Sequence, residues 1–218
     1  MDYGQSLDWL YSVQQFGIKP GLENTRKLLK ALQLPGTGQR FLHVAGTNGK
    51  GSTCAFLRAG LEAAGHRVHV FTSPHLVRYN ERIRLAGKLI TDAQLADVMA
   101  RVLDANEVVG GSLFEVNTAA AFLAFADTPA DAVVLEVGLG GRLDATNVVP
   151  APVSTGIASL GIDHQAWLGT RLIDIAAEKA RLTKALEASI KEARSLAGRL
   201  SNPAFVEKAA PQAVEKAR

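Results

Sequence analysis

The sequence of 218 residues contains a single cysteine, Cys54, so it cannot form an internal disulfide bond. Such sparing use of cysteine is typical of a reducing compartment such as the cytoplasm. No stretch reaches the roughly 18 consecutive apolar residues that a membrane-spanning helix needs. The first residues, Met1 to Gly4, lack the basic and then apolar segments of a signal peptide. These absences predict a cytoplasmic protein that does not enter a membrane.

Charge is distributed unevenly along the chain, although its net value is only +3. Residues 1–180 hold 16 basic and 17 acidic side chains, whereas residues 181–218 hold 8 and 4. This pattern argues against nucleic acid as a ligand of the first 180 residues and leaves it open for the tail. The hydrophobic content of 47% is typical of a globular protein, and the length suffices to bury a core.

The most informative segment is a glycine-rich turn between an apolar run and a helical pattern. Residues 41–44 predict a buried strand, and residues 50–64 predict a helix. Glycines let backbone N–H groups approach phosphates, and a helix N-terminus adds partial positive charge. Lys50 would contact the terminal phosphates of a nucleotide, and the Ser52 hydroxyl would face Mg²⁺. The candidate nucleotide-binding residues are Gly46, Thr47, Asn48, Gly49, Lys50, Gly51 and Ser52.

The spacing of this segment differs from the common phosphate-loop pattern of a glycine, four residues, Gly-Lys and a hydroxyl residue. Val44 stands where the first glycine would be, and Gly51 separates Lys50 from Ser52. The segment therefore also fits a tight strand–helix turn that binds no ligand.

Predicted strands and helices alternate through the rest of the first 180 residues. Further strands are predicted at residues 67–71, 131–137 and 153–159, and a hairpin at 82–90. Helices are predicted at residues 5–16, 22–34, 91–109 and 114–126, and from about residue 170; Thr91 and Gln94 form a capping box. This order is typical of an α/β fold with a mostly parallel sheet flanked by helices.

Polar residues follow the predicted ends of four strands, at Gly46, Ser73, Glu136 and His164. Ligands bind beyond the carboxyl ends of parallel strands, so these residues are candidates for one site. Glu136 needs a partner when buried, which Mg²⁺ or neighbouring N–H groups could supply. Ser73 also fits an ordinary turn. His164 also fits a structural role, because Mg²⁺ prefers oxygen ligands to imidazole.

Five segments occur in an order that resembles a known family. They are residues 46–52 (GTNGKGS), 72–76 (TSPHL), 80–83 (NERI), 135–147 (LEVGLGGRLDATN) and 163–164 (DH). Together they resemble the bifunctional dihydrofolate synthase/folylpolyglutamate synthases, a branch of the Mur-ligase-like ATP-dependent amide ligases, over about residues 5–180. The resemblance implies a P-loop-type central domain with flanking helices, which is incomplete in this chain.

This resemblance implies a ligase of folate metabolism. ATP would phosphorylate a carboxylate of dihydropteroate or a reduced folate, and the amine of L-glutamate would attack the acyl phosphate. The resemblance further implies that residues 49–52 bind the ATP phosphates and that Ser73, Glu136 and His164 hold Mg²⁺. The expected pterin-contacting residues are Gly21, Leu22, Glu23, Ser112, Leu113, Phe114, Glu115, Leu143, Asp144 and Ala145.

His164 and Lys179 are expected to be catalytic by the same resemblance. Lys179 matches a lysine that the family carbamylates, which would turn an ammonium into an anionic oxygen ligand. Without the resemblance, Lys179 would be interpreted as a solvated helix residue.

The resemblance to the ligases stops near residue 180. Beyond it, apolar residues recur at steps of three and four, which predicts a helix with one apolar stripe: Leu182, Leu186, Ile190, Ala193, Ala197 and Leu200. Residues 181–218 resemble the C-terminal coiled-coil arm of valyl-tRNA synthetases. Residues 178–181 suit either source. We interpret the chain as a truncated ATP-binding ligase domain, residues 1–180, followed by a helical tail, residues 181–218.

Three hypotheses follow from this organisation. The first is a ligase fragment that keeps the phosphate and pterin sites but has little or no ligase activity. The second is a basic helical tail that binds tRNA or self-associates. The third is an inactive fusion fragment. Nucleotide binding, tRNA binding and a thermal melt distinguish among them.

Overall fold

The computed structural model describes residues 1–13, 21–34, 39–149 and 152–179. The predicted helical tail, residues 181–218, lies outside the described residues. Residues 14–16 of the first predicted helix lie outside them as well.

The described residues alternate between helices and strands. The helices are α1 (Tyr3–Ser12), α2 (Glu23–Ala31), α3 (Lys50–Ala63), α4 (Asp92–Val109), α5 (Leu113–Ala126) and α6 (Gln165–Leu168). The strands are β1 (Phe41–Ala45), β2 (Val68–Phe71), β3 (Ile83–Leu85), β4 (Lys88–Leu89), β5 (Ala132–Glu136) and β6 (Ser154–Ile157). Residues 172–179 are also helical, and 3₁₀ turns span Tyr79–Arg82 and Ala145–Val148.

The six named strands form one sheet in the order β4-β3-β2-β5-β1-β6. Strands β2, β5, β1 and β6 are parallel to one another, whereas β3 is antiparallel to β2 and forms an antiparallel hairpin with β4 at one edge. The predicted α/β class with a mostly parallel sheet is therefore confirmed. Strands β1, β2, β5 and β6 place their carboxyl ends at one side of the sheet, where ligands of such folds bind.

Apolar residues on the two faces of the sheet pack against different helices. The larger cluster joins β-strand residues such as Phe41 and Phe71 to α1, α2, α4 and α5. The smaller cluster joins Val44 and Val134 to Cys54 of α3. Because side chains alternate along a strand, Phe41, His43 and Ala45 share one face of β1, and the central strands are buried on both sides.

Local sequence signals explain where several helices begin. Thr91 Oγ1 accepts the backbone N–H of Gln94 at 3.2 Å, and Gln94 Oε1 accepts the N–H of Thr91 at 3.0 Å. This geometry confirms the predicted capping box of α4. The short helix α6 was not predicted; it begins after His164, which has a φ of 50°.

The longest named helix is α4, with 18 residues, and its sequence contains charged side chains such as Asp97, Arg101 and Asp104. A membrane-spanning helix needs about 20 predominantly apolar residues. Within the described ranges, no helix combines the length and the hydropathy that a membrane crossing requires.

Candidate functional site

The phosphate loop, residues 46–52, connects central strand β1 to helix α3. Gly46 has a φ of 149°, and a Cβ atom there would lie 2.9 Å from the Cβ of Ala158. Gly49 takes the left-handed conformation, with a φ of 78°, at the start of α3. Both positions therefore favour glycine on geometric grounds. Residues 48, 49, 51 and 52 are exposed, so the loop presents its backbone to solvent.

Lys50 lies folded over its own loop. Its ammonium donates to the carbonyl oxygens of Gly46 at 3.1 Å and Thr47 at 3.2 Å. These are weak local bonds that a phosphate oxygen can replace, because a charge-assisted bond to an anion is stronger than one to a neutral carbonyl.

The loop is also tied to the segment after β6. The backbone N–H of Thr47 donates to Ser159 O at 2.8 Å. The Thr47 hydroxyl donates to Gly161 O at 2.9 Å and accepts the Gly161 N–H at 3.0 Å. These contacts join residues more than 100 positions apart, so the sequence pattern gave no signal for them.

Glu136 ends strand β5 beside the phosphate loop. Its Oε2 accepts the backbone N–H of Ser73 at 3.1 Å, and it lies 3.7 Å from where a Cβ on Gly51 would stand. The residue is 4% exposed. Burial raises its pKa, against the opposing effects of the Ser73 N–H and the positive charges of Lys50 and Arg82. A buried carboxylate with a raised pKa gains from a nearby cation.

His164 and Lys179 lie on the segment that follows β6. His164 is exposed and lines a cavity that Ser73 and Lys50 also line. Lys179 is only 3% exposed, on the same helical face as buried Ile175. Burial and, to a smaller extent, the charge of Lys50 lower the pKa of Lys179 to about 8, whereas Asp163 opposes the shift. About half of the Lys179 amine is therefore neutral near pH 8.

The cavity at this side of the sheet has a volume of about 870 Å³. Its walls include predicted substrate-site residues from three separate segments: Gly21, Ser112, Leu113, Phe114, Glu115, Leu143, Asp144 and Ala145. The Phe114 ring lies against Gly138, where an added Cβ would stand 2.4 Å from Cζ of the ring. The fold thus brings the phosphate-loop lysine and most of the predicted pterin segments to one cavity.

Two predicted substrate residues lie elsewhere. Leu22 precedes α2 as its N-cap, and Glu23 pairs with Lys27 at 3.6 Å with its side chain 72% exposed. Neither is among the described residues that line the cavity, whereas their neighbour Gly21 is.

Glu115 is buried and serves the start of α5. Its Oε2 accepts the backbone N–H and the hydroxyl of Ser112, both at 2.7 Å, and Asn24 Nδ2 donates to it at 3.4 Å. These bonds form a capping box that also joins α5 to α2. The carboxylate is thus largely engaged in holding the cavity wall.

The second glycine loop, residues 138–146, is organised around the buried carboxylate of Asp144. Its Oδ2 accepts the Leu139 N–H at 2.8 Å, and its Oδ1 accepts the Thr146 N–H at 3.0 Å and the Thr146 hydroxyl. Burial raises the pKa of Asp144, and these hydrogen bonds oppose the shift. Asp144 therefore shapes the loop as well as lining the cavity.

Several residues that line the cavity are not among the predicted site residues. Trp167 and Leu168 belong to α6, which no sequence pattern predicts. Ala177 lies on the helix at 172–179. Arg142 lines the cavity too, and its Nε lies 3.4 Å from Glu178 Oε1. The sequence offers one signal for a binding role of Arg142, namely a positively charged side chain within a glycine-rich loop.

Conventional metal clusters are absent from the part of the chain that the structure describes. No group of three His, Cys, Asp or Glu side chains there stands close enough to hold an ion. The predicted set of Ser73, Glu136 and His164 contains only one carboxylate, so a metal here would need further oxygen ligands such as phosphates or water.

These observations define the class of the molecule. A mostly parallel sheet whose central strand runs into a glycine loop and helix, with a lysine and a carboxylate at adjoining positions, is a P-loop-type α/β domain.

Comparison with known proteins shows homology to folate ligases. The chain is 43% identical over 189 residues to dihydrofolate synthase/folylpolyglutamate synthase of Bacillus subtilis, covering 84% of this chain and 44% of that protein. It is 39% identical over 184 residues to the Escherichia coli protein of the same name, covering 84% and 43%. The chain is therefore homologous to the dihydrofolate synthase/folylpolyglutamate synthase ligases.

Solved structures agree with this assignment. The chain matches E. coli FolC in complex with DHPP and ADP with a TM-score of 0.78 and 38% identity, covering 84% of this chain and 44% of that one. It matches a Yersinia pestis folylpolyglutamate synthase/dihydrofolate synthase complexed with AMPPNP and Mn ion with a TM-score of 0.75 and 39% identity, covering 84% and 44%. The chain thus spans about half the length of the relatives it matches.

The end of the chain matches a different family. Residues 174–218 match the model of the valyl-tRNA synthetase tRNA binding arm. This match begins before residue 180 and supports the predicted resemblance of the tail.

Proposed function

We propose that this chain is an ATP- and divalent-cation-binding domain of a folate ligase, with a site for dihydropteroate or a reduced folate. The observation that carries the proposal is one cavity of about 870 Å³, lined by the phosphate-loop residue Lys50 together with Phe114, Asp144 and His164. A phosphate-binding group and an apolar wall in one cavity suit a reaction between a nucleotide and an aromatic acid.

The phosphate loop fits a nucleoside triphosphate. Its backbone is exposed at the N-terminus of a 14-residue helix, and Lys50 needs only to leave two carbonyl oxygens to reach a phosphate. Relatives of known structure contain ADP or AMPPNP, which agrees with this assignment.

The Glu136 carboxylate fits a divalent cation bound together with phosphates. Oxygen is the ligand atom that Mg²⁺ prefers. Burial disfavours the ionised form of the Glu136 carboxylate, and a bound cation would compensate that negative charge. Ser73 fixes one oxygen of this carboxylate through its backbone N–H. A bound Mg²⁺ would neutralise charge on the transferred phosphoryl group.

In the proposed reaction, the terminal phosphoryl of ATP passes to the carboxylate of dihydropteroate or folate, and ADP leaves. The amine of L-glutamate then attacks the acyl phosphate, an amide forms and phosphate departs. Lys50 stabilises negative charge on the phosphoryl group, and the cavity walls hold the aromatic acid near it. His164 lines the cavity, and its proposed role is catalytic, close to the transferred phosphoryl group.

Lys179 is proposed to carry a carbamate. Carbon dioxide adds to the neutral amine and a proton is released, and the lowered pKa of about 8 supports this step because it makes the neutral form available. Incubation with ¹³C-bicarbonate at pH 8 should give a carbamate carbon signal in NMR that is absent from Lys179→Arg. An identical spectrum for the two proteins would remove this role.

Nucleotide binding tests the proposal directly. Calorimetry with ATP and Mg²⁺ should show binding that Lys50→Ala weakens about 30-fold, since a charge-assisted bond to phosphate contributes about 2 kcal/mol. Lys88→Ala, which removes an exposed lysine of the β3–β4 hairpin, is the matched control and should bind as the native chain does. Lack of binding at millimolar ATP would overturn the proposal.

Complete ligation is expected to be weak or absent when the 218-residue chain is assayed by itself. The chain spans about half the length of its ligase relatives. We propose that residues 1–180 form the ligase-type domain and residues 181–218 a separate tail. Labelled L-glutamate should enter folate far more slowly than with a full-length relative, and comparable rates would contradict this expectation.

The synthetase-arm match favours a second candidate function for the tail. Residues 181–218 hold eight basic and four acidic side chains and match a tRNA binding arm. A salt-dependent mobility shift of tRNA that disappears without residues 181–218 would support tRNA binding. Self-association of the full chain with no tRNA shift would instead assign the tail to protein–protein contact.

An inactive fusion fragment is the remaining alternative. A broad, non-cooperative thermal transition by circular dichroism, together with no ATP binding, would support it.

A further inference from the structure

A polar chain of three buried side chains crosses the core beneath the cavity. His43 Nε2 lies 2.7 Å from Thr146 Oγ1, and Thr146 Oγ1 donates to Asp144 Oδ1. His43 and Thr146 are 0% exposed, and Asp144 is 5% exposed. Buried polar groups are costly unless they are hydrogen-bonded, and these bonds offset that cost for all three side chains.

The direction of each hydrogen bond follows from the donors available. Both oxygens of Asp144 accept backbone N–H groups, so the carboxylate acts as an acceptor and the Thr146 hydroxyl donates to it. The Thr146 oxygen is then free to accept from His43, which requires the proton of the imidazole to be on Nε2. Nδ1 of His43 is buried with no hydrogen-bond partner among the described residues, which fits an unprotonated nitrogen.

The neutral imidazole agrees with its surroundings. Burial lowers the pKa of His43 to about 4, so the ring is uncharged at neutral pH. An uncharged ring can donate from one nitrogen only, and the structure gives that donor a single acceptor, the Thr146 hydroxyl.

The position of His43 places this hydrogen-bonded set of three side chains between two loops of the proposed site. His43 lies on β1 three residues before Gly46, where the strand enters the phosphate loop. Asp144 holds the 138–146 loop, which lines the cavity. The three side chains therefore connect the strand that carries the phosphate loop to the loop that lines the proposed substrate site.

We propose that His43 and Thr146 are positioning residues for the acceptor substrate: through the chain His43–Thr146–Asp144 they fix the 138–146 loop in the conformation that binds the pterin. This inference rests on the proposed function for the identity of the ligand, whereas its structural part does not depend on any ligand. Among the described residues, Asp144 lines the cavity whereas His43 and Thr146 do not, so both would act through Asp144.

The structural part is tested on the full chain by NMR. The ¹⁵N shifts of the His43 ring should show one neutral tautomer, protonated at Nε2, from pH 8 to pH 5. Thr146→Val should reduce protection of the Leu139 amide from hydrogen exchange at least tenfold, and Thr146→Ser should restore it. A ring protonated at Nδ1, or unchanged protection in Thr146→Val, would overturn the inference whatever the chain binds.

The functional part is tested with dihydropteroate as the probe. His43→Leu and Thr146→Val should weaken its binding about tenfold while ATP affinity changes less than twofold, and Thr146→Ser and His43→Gln should recover part of the loss. Thr25→Val is the matched control, because the Thr25 hydroxyl is buried with no partner among the described residues. Full dihydropteroate affinity in Thr146→Val overturns the inference, whereas a native chain that binds neither dihydropteroate nor ATP overturns the proposed function.

Discussion

Two glycine-rich loops meet at the same side of the sheet, and their polar groups differ in use. Those of the first loop remain available to a ligand, whereas those of the second bond to one another. In residues 46–52, exposed backbone and a lysine resting on its own carbonyl oxygens leave binding capacity for a ligand. In residues 138–146, the Asp144 carboxylate is buried, and the loop itself supplies the donors to both of its oxygens.

The difference shows that a glycine-rich loop can serve either ligand binding or structural support. The first loop reserves its hydrogen-bonding groups for a partner, so its residues matter for affinity more than for stability. The second loop uses its charged residue to build a surface, so its residues matter for stability and, through shape, for binding. The three predictions below test this contrast, from the largest expected effect to the smallest.

Asp144→Ala should lower the free energy of unfolding by about 4 kcal/mol, because it leaves the buried N–H and hydroxyl of Thr146 and the part-buried N–H of Leu139 without their acceptor. Urea denaturation followed by circular dichroism measures the change. Asp97→Ala, at an exposed position of α4, is the control and should stay within about 0.5 kcal/mol of the native chain. Equal effects of the two variants would contradict the contrast between the loops.

His43 should make folding sensitive to acid. Its folded pKa of about 4 lies below the ordinary value of 6.5, so the unfolded state takes up the proton first as the pH falls. His43 should therefore contribute a loss of about 3 kcal/mol of stability between pH 6.5 and pH 4, and little more below pH 4. The comparison with His43→Gln isolates this part, since Asp144 and Glu136, whose pKa values are raised, titrate in both proteins.

Denaturation curves at pH 7, 5.5 and 4 measure the difference between the native chain and His43→Gln. The stability of the native chain should fall relative to the variant as the pH decreases. A constant difference across this range would show that His43 titrates normally in the folded state.

Lys50→Ala should change the free energy of unfolding by no more than about 0.5 kcal/mol, because its ammonium bonds only to two carbonyl oxygens of its own loop. The same variant is expected to lose most of its nucleotide affinity. Thermal melts in the absence and presence of ATP separate the two effects. A large loss of stability without ATP would place Lys50 with Asp144 as a structural residue.

Much of the fold could be predicted because its signals are local. Apolar runs marked β1 and β5, and Thr91 with Gln94 marked the start of α4. The parallel arrangement also predicts which strand ends meet, which is why Ser73 and Glu136 could be expected together.

The rest depended on contacts between distant positions. The bond between His43 and Thr146 joins residues 103 positions apart, and His43 reads in sequence as one polar residue in an apolar strand. Helix α6 is four residues long, too short to show a helical period, so Trp167 could not be placed at the cavity.

The resting place of the Lys50 ammonium also has a consequence for the rate of nucleotide capture. Releasing it requires rotation of one side chain and no rearrangement of the strand or helix, and such rotations take picoseconds to nanoseconds. Nucleotide association should therefore be a single step whose observed rate rises linearly with concentration. Encounter by diffusion, rather than an opening of the protein, then limits how fast the loop is filled.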